Sequence, residues 1–152
     1  AYGFGMKIIF YNRSALSDCG PIEAKQLSSV EEVCASSDVI SLHCASNRDT
    51  RHIINQKAIS QMKPEAIIIN TARGDVIDEE ALAEALEQRL IGGAGLDVFQ
   101  SEPSISPRLI NAPNTVLLPH LGSATTETRN AMGMRVLRNL ESRDSRLYLT
   151  VQ

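Results

Sequence analysis

The sequence predicts a doubly wound α/β fold on a parallel sheet, and three observations carry the prediction. Apolar runs of strand length recur at residues 7–12, 39–44, 66–70, 93–99 and 116–119. Helix-like patterns separate most of them, and strands alternating with helices build parallel sheets. The runs give way to polar loops, and an open α/β sheet carries its ligands at the ends of its strands.

Taken in order, Lys7-Ile8-Ile9-Phe10-Tyr11-Asn12 is β-rich and bounded by Gly5 and by Arg13-Ser14. Residues 30–35 read as a short helix capped by Ser28 or Ser29. Val39-Ile40-Ser41-Leu42-His43-Cys44 is the next strand, and residues 55–62 form the next helix, stopped by Pro64. Ala66-Ile67-Ile68-Ile69-Asn70 follows as a strand. The clearest helix covers residues 78–90, where Asp78-Glu79-Glu80 favours the positive end of the helix dipole. Ala81, Leu82, Ala85, Leu86 and Leu90 form its apolar stripe, and Gly92-Gly93 ends it. Residues 93–99 make a glycine-rich strand and residues 116–119 the last one. A long helix over 125–140 has Ala131, Met134, Val136, Leu137 and Leu140 as its apolar set. Continuous apolar runs suit strands buried on both faces of a sheet.

At 152 residues the chain is long enough for one domain with a core. A net charge of -3 gives no reason to expect nucleic acid or an acidic membrane surface as partner. No apolar run approaches the length of a membrane span, and the N-terminus does not read as a secretory signal. Cys19, Cys34 and Cys44 show no metal-like spacing. They read as reduced thiols of a cytoplasmic protein, two of them buried.

Three signatures carry the chemistry: Asn70-Thr71-Ala72-Arg73-Gly74, then Gly95-Leu96-Asp97-Val98-Phe99 leading to Glu102-Pro103, then Pro119-His120-Leu121-Gly122-Ser123. Arg73 is a fixed fork able to grip a carboxylate and polarise an adjoining carbonyl. His120 can give a proton to a carbonyl oxygen as hydride arrives and recover it in reverse. Glu102 would pair with His120 and hold the imidazolium. Plainer roles are open to the same residues: a structural loop histidine, a surface Glu before a proline, an arginine paired at the start of the 78–90 helix, a turn-forming Asp97. Asp75 and Asp78 read as helix-starting carboxylates, and His43 and His52 as structural histidines.

With these motifs in order, the chain resembles the D-isomer-specific 2-hydroxyacid dehydrogenases, and within them the glyoxylate/hydroxypyruvate reductases. Asn12-Arg13-Ser14, Thr50-Arg51-His52-Ile53-Ile54-Asn55, Asp75 after Gly74, and Ala124-Thr125 after Ser123 complete the match, which runs over residues 4–140. The resemblance implies a Rossmann-like dinucleotide-binding domain and an Arg73, Glu102, His120 catalytic set acting on a small 2-keto or 2-hydroxy acid. It gives Glu102 its meaning, because a formate-oxidising branch has Gln there. It assigns Asp97 to the nicotinamide carboxamide, and adds Cys44, Ala45, Thr50, Thr71, Ala72, Gly122 and Ser123 as cofactor contacts beside Arg73 and His120. Ala45 and Asn47 depart from the commoner Pro and Thr. NAD-selective folds place a carboxylate at the end of the second strand. Neutral Asn12, followed by Arg13 and Ser14, stands there instead, so NADP(H) is the expected cofactor and NAD(H) the alternative.

The family's Gly-x-Gly-x-x-Gly loop and its separate substrate domain are absent from these residues. The expected division is a partial dinucleotide-binding domain over 1–141 and a polar tail over 142–152. The sheet is expected to lack its first, central strand, as an N-terminally truncated domain without its substrate domain would, and the chain alone to be inactive. The complete enzyme is expected to be a homodimer. Three other readings stay open: an NAD-dependent relative acting on phosphoglycerate or D-lactate, a dinucleotide-sensing corepressor-like binding protein, and an inactive truncated product.

Overall fold

The computed structural model describes residues 1–16, 19–20 and 22–141, and the tail expected over 142–152 lies outside them. The chain divides into two units, Ala1–Pro119 and His120–Gln152. In the first, a 3-10 turn (Tyr2–Phe4) leads to β1 (Ile8–Phe10), β2 (Ala24–Gln26), α1 (Val30–Ser36), β3 (Val39–Leu42), α2 (Gln56–Ile59) and β4 (Ile67–Asn70). A second 3-10 turn (Gly74–Val76), α3 (Glu79–Glu87), β5 (Gly93–Leu96), α4 (Pro107–Asn111) and β6 (Thr115–Leu117) complete it. The second unit carries α5 (Thr126–Glu141).

All strand pairings are parallel, in two sheets ordered β1-β2 and β3-β4-β5-β6. The α/β parallel fold therefore stands. β1 and β3 are not hydrogen-bonded to each other, so the two sheets are separate. In register, Ile40, Ile68 and Ala94 line one face, followed by Leu42, Asn70 and Leu96. This face packs with Cys34 of α1, Ile59 of α2, Leu82 and Leu86 of α3, and Leu109 of α4 in one core.

Burial on both sheet faces does not hold throughout. Val39, Ile67 and Val116 are 44%, 41% and 63% exposed, because α1 to α4 all cover the opposite face. β2 and α4 are additions that the apolar pattern does not reveal. Only Cys34 of the three cysteines is buried; Cys19 and Cys44 are half-buried, and none forms a disulfide. Burial, helped by Glu31, pushes the Cys34 thiol up to about 11, so it is an inert core group. The apolar residues Met134, Val136, Leu137 and Leu140 of α5 are exposed. No helix among the described residues is long and apolar enough to cross a membrane.

The caps follow the sequence where a short polar side chain is available. Ser29 accepts from the Glu32 amide, Asn55 from that of Ala58, and Asp78 from that of Ala81. The end of α3 differs from expectation. Arg89 turns left-handed at φ 55, its amide donates to Leu86 O, and the Leu90 amide donates to Ala85 O. This double bond pattern closes the helix before the glycines and leaves Leu90 outside the stripe, 52% exposed. Gly92 and Gly93 instead serve close strand packing: a Cβ would lie 2.5 Å from Glu65 O and 2.6 Å from Asn114 O, respectively. Because glycine adopts the left-handed turn without steric cost, Arg89→Gly should stabilise the protein by about 0.5–1 kcal/mol. Thermal unfolding should show a midpoint raised by roughly 2 °C, and a lowered midpoint would count against this account of the turn.

Candidate active site

The predicted residues of the first unit cluster where its parallel strands end. After β1, Gln26 of β2 shapes the loop: its Nε2 donates to Asn12 O at 3.0 Å and Ser14 O at 3.1 Å, and its Oε1 accepts from the Leu16 amide at 2.9 Å. The Asn12 side chain turns back to donate to Ser14 O at 3.0 Å. Arg13 is left projecting, 3.8 Å from Asp49, with both side chains about as exposed as surface groups can be at 83% and 77%. A pair so open to water contributes little to stability.

The loop after β3 is tied internally. Thr50 Oγ1 donates to Ala45 O at 2.6 Å and accepts from the Asn47 amide at 2.9 Å, while Ser46 Oγ donates to Asp75 Oδ2 at 2.6 Å. Thr50 thus builds the loop that carries Cys44 and Ala45. Burial pushes the Cys44 thiol upward, away from its thiolate form. A cleft of about 640 Å³ lies between β1 and β3, lined by Asn12, Arg13, Cys44, Ala45 and Thr50. A second, of about 510 Å³, shares Cys44 and Ala45 and reaches Thr71, Ala72 and Arg73. Eight of the sequence-predicted residues thus line the two clefts, from Asn12 to Arg73.

At the end of β4, Asn70 is 1% exposed, and both polar atoms of its side-chain amide bond the loop it starts. Its Oδ1 accepts from the Ala72 amide at 3.0 Å and its Nδ2 donates to Arg73 O at 2.9 Å. Arg73 itself is exposed, with Nη1 donating to Ala72 O at 2.7 Å. Among the described residues no carboxylate pairs with Arg73; the expected alternative, an arginine ion-paired at the start of α3, is not what is seen. Asp78 fills that start as the cap.

Asp97 follows β5, 7% exposed, and its amide donates to Asn70 O at 2.9 Å. Two residues on, the Phe99 amide donates to Glu102 Oε1 at 2.9 Å. Gly74, next to Arg73, lies directly on this segment, and a Cβ there would stand 1.9 Å from Phe99 C and 2.4 Å from Gln100 N. The loops bearing Arg73 and Glu102 are therefore in backbone contact.

His120 opens the second unit, with its backbone left-handed at φ 55. Gly122 and Ser123 follow in a turn closed by the Ala124 amide donating to Leu121 O at 3.0 Å. Thr125 caps α5, its Oγ1 accepting from the Thr128 amide at 3.1 Å. His43 and His52 are satisfied, His43 Nε2 by Ser41 Oγ at 2.8 Å and His52 Nε2 by Gln100 Nε2 at 3.1 Å. Sequence reasoning missed the organising side chains Gln26, Glu79 and Gln100. Buried Asn70, at the end of an otherwise apolar strand, was the one with a visible signal.

The family model for the D-isomer specific 2-hydroxyacid dehydrogenase, NAD binding domain, matches residues 1–122. The chain belongs to this family. It is 48% identical over 142 residues to 4-methyl-2-oxopentanoate reductase A of Aspergillus oryzae, covering 93% of this chain and 43% of that protein. It is 45% identical over 140 residues to a glyoxylate reductase of Thermococcus litoralis, covering 92% of this chain and 42% of that protein. Among solved structures it is similar to an NADPH-dependent glyoxylate/hydroxypyruvate reductase from Sinorhizobium meliloti in complex with NADP and malonate. There the TM-score is 0.88 at 32% identity, over 95% of this chain and 44% of that one. The chain thus spans less than half the length of the curated relatives it matches.

Proposed function

We propose that the protein reduces small 2-keto acids, glyoxylate or hydroxypyruvate first, to D-2-hydroxy acids with NADPH. The observation that carries this reading is Arg73: an exposed guanidinium without a carboxylate partner among the described residues, on a loop templated by buried Asn70 at a strand's C-terminal end. Such a fork suits a 2-keto carboxylate and polarises the neighbouring carbonyl. A bound reduced nicotinamide supplies the hydride. His120 gives its proton to the carbonyl oxygen, Glu102 supports the imidazolium, and Asp97 orients the carboxamide. Family membership and the named relatives support this assignment of roles.

The donor set along the sheet edge fits a dinucleotide, with a cation at one end of the paired clefts and Arg73 at the other. Arg13 beside neutral Asn12 favours a 2′-phosphate, and the NADP-bound relative supports the same preference. Asp49 stands against Arg13 and moderates it. Arg13→Ala should weaken NADPH binding about 10- to 100-fold, the worth of one charge-assisted contact, while changing NADH binding by less than about threefold. Equal losses for both cofactors, measured by fluorescence titration, would remove the case for NADP selectivity.

Initial rates on a panel of keto acids test the reading as a whole. Glyoxylate and hydroxypyruvate with NADPH should give the highest kcat/KM, ahead of pyruvate, phosphohydroxypyruvate and 4-methyl-2-oxopentanoate. A preference for phosphohydroxypyruvate or pyruvate with NADH would assign the protein to the NAD-dependent branch. Tight cofactor binding with no turnover on the panel would favour the corepressor-like reading. We further place the protein in the cytosol, as a homodimer, on the family resemblance and the unpaired cysteines.

A further inference from the structure

Glu79 reads from sequence as one of three acidic residues at a helix start, yet it is buried at 9% exposure. Its carboxylate accepts from the Gln100 amide at 2.5 Å, across 21 residues of chain. The next amide upstream, that of Phe99, is taken by Glu102. The Gln100 side chain is also fixed: its Nε2 donates to Ile77 O at 2.7 Å and lies 3.1 Å from His52 Nε2. Gly74 presses on the peptide between Phe99 and Gln100 from the Arg73 side. Gln100 and the peptide before it are thus held by α3, by the loop after β3, and by the Arg73 loop. The adjoining peptide, between Val98 and Phe99, is the one whose N–H is taken by Glu102.

We infer that Glu79 and Gln100 are positioning residues that set the Glu102 segment against the Arg73 loop. Placing a carboxylate in the core is costly unless hydrogen bonds satisfy it. Burial raises the Glu79 carboxyl above its ordinary range, with the Gln100 amide pulling the other way. An acidic residue that served only the helix dipole would stay in water, as Glu80 does by pairing with Arg108 at the surface. The buried placement at Gln100 is explained by what it holds. Misplacing a reacting group by about 1 Å can cost about 100-fold in rate, so a latch one residue from the Glu102 bond has leverage on turnover. The inference rests on the proposed role of Glu102.

The test compares Glu79→Ala, Glu79→Gln, Gln100→Ala and Glu102→Gln in the full-length protein. Activity is read with glyoxylate and NADPH, and hydrogen exchange at the Phe99 and Gln100 amides is read without substrate. Glu79→Ala should lower kcat about tenfold with the KM for NADPH unchanged, and speed exchange at Gln100 by at least about tenfold. Glu79→Gln keeps the acceptor and should restore kcat to within about threefold. Gln100→Ala keeps the backbone and loses only the side-chain latches, so it answers the question should Glu79→Ala not fold; a kcat loss of about threefold or more is expected. The inference is overturned if folded Glu79→Ala and Gln100→Ala turn over at wild-type rates, or if Glu79→Gln is as impaired as Glu79→Ala. Should Glu102→Gln itself be as active as wild type, the proposed function falls with it. Should only Glu102→Gln be impaired, the function stands and this inference fails alone.

Discussion

His120→Ala should reduce kcat by about 100- to 10,000-fold, the range that a positioned general acid supplies. The dissociation constant for NADPH should move by less than about threefold, because the imidazole acts on the substrate carbonyl oxygen and contributes little to holding the dinucleotide. A stopped-flow trace of single-turnover hydride transfer would separate chemistry from product release. The expected trace shows a slowed chemical step with cofactor binding intact. Turnover within about fivefold of wild type would remove His120 from the mechanism, since no general acid of this kind contributes so little. His120 also holds a left-handed backbone at φ 55, which alanine adopts at some cost. His120→Asn is the companion variant, because asparagine tolerates that conformation while lacking the titratable proton. Both should fail alike in chemistry, which excludes a backbone explanation.

Gly74→Ala should be the most damaging substitution outside the proposed catalytic set. The added methyl would stand 1.9 Å from Phe99 C, 2.2 Å from Phe99 O and 2.4 Å from Gln100 N, all of them backbone atoms with no flexible end to swing away. One of the two loops must therefore move, and Arg73 rides on one while Glu102 rides on the other. Overpacking of this kind costs about 1–3 kcal/mol, which should lower the unfolding midpoint by roughly 3–10 °C. The separation of Arg73 from Glu102 should also lower kcat/KM for glyoxylate by about 100-fold at temperatures where the variant is folded. A folded variant with a wild-type kcat/KM would mean that the contact between the loops is irrelevant to turnover.

The parts of the fold that were legible in the sequence are those decided locally. Ile67-Ile68-Ile69 leaves little choice but a strand, though one that is buried on a single face, and Asp78 before two glutamates and an alanine-leucine stripe marks a helix start that the structure realises bond for bond. The Arg73 loop was legible because a polar motif directly follows that strand. What escaped depends on partners distant in the chain. Ala24-Lys25-Gln26 has no apolar run and becomes a strand only by pairing with Ile8-Ile9-Phe10. Gln26 then organises Asn12 and Ser14, a role that no property of the residue alone announces. Pro107 at the start of α4 was a readable start signal for a short helix. Leu90 fits the helical period and still lies outside the helix, because Arg89 takes the left-handed turn that a glycine would ordinarily mark. Glu79 looks like Glu80 in sequence, and only burial against Gln100 separates them.

The central claim is that the protein moves a hydride from NADPH to the keto carbon of a small 2-keto acid. Incubating the full-length protein with NADPH deuterated at the transferring carbon and with hydroxypyruvate, then analysing the product by mass spectrometry and chiral chromatography, tests it most directly. The account predicts D-glycerate carrying one deuterium at the carbon that bore the carbonyl, and no such product from Arg73→Ala at matched protein concentration. Glycerate of the L configuration, glycerate without deuterium, or no glycerate while NADPH binds would contradict it.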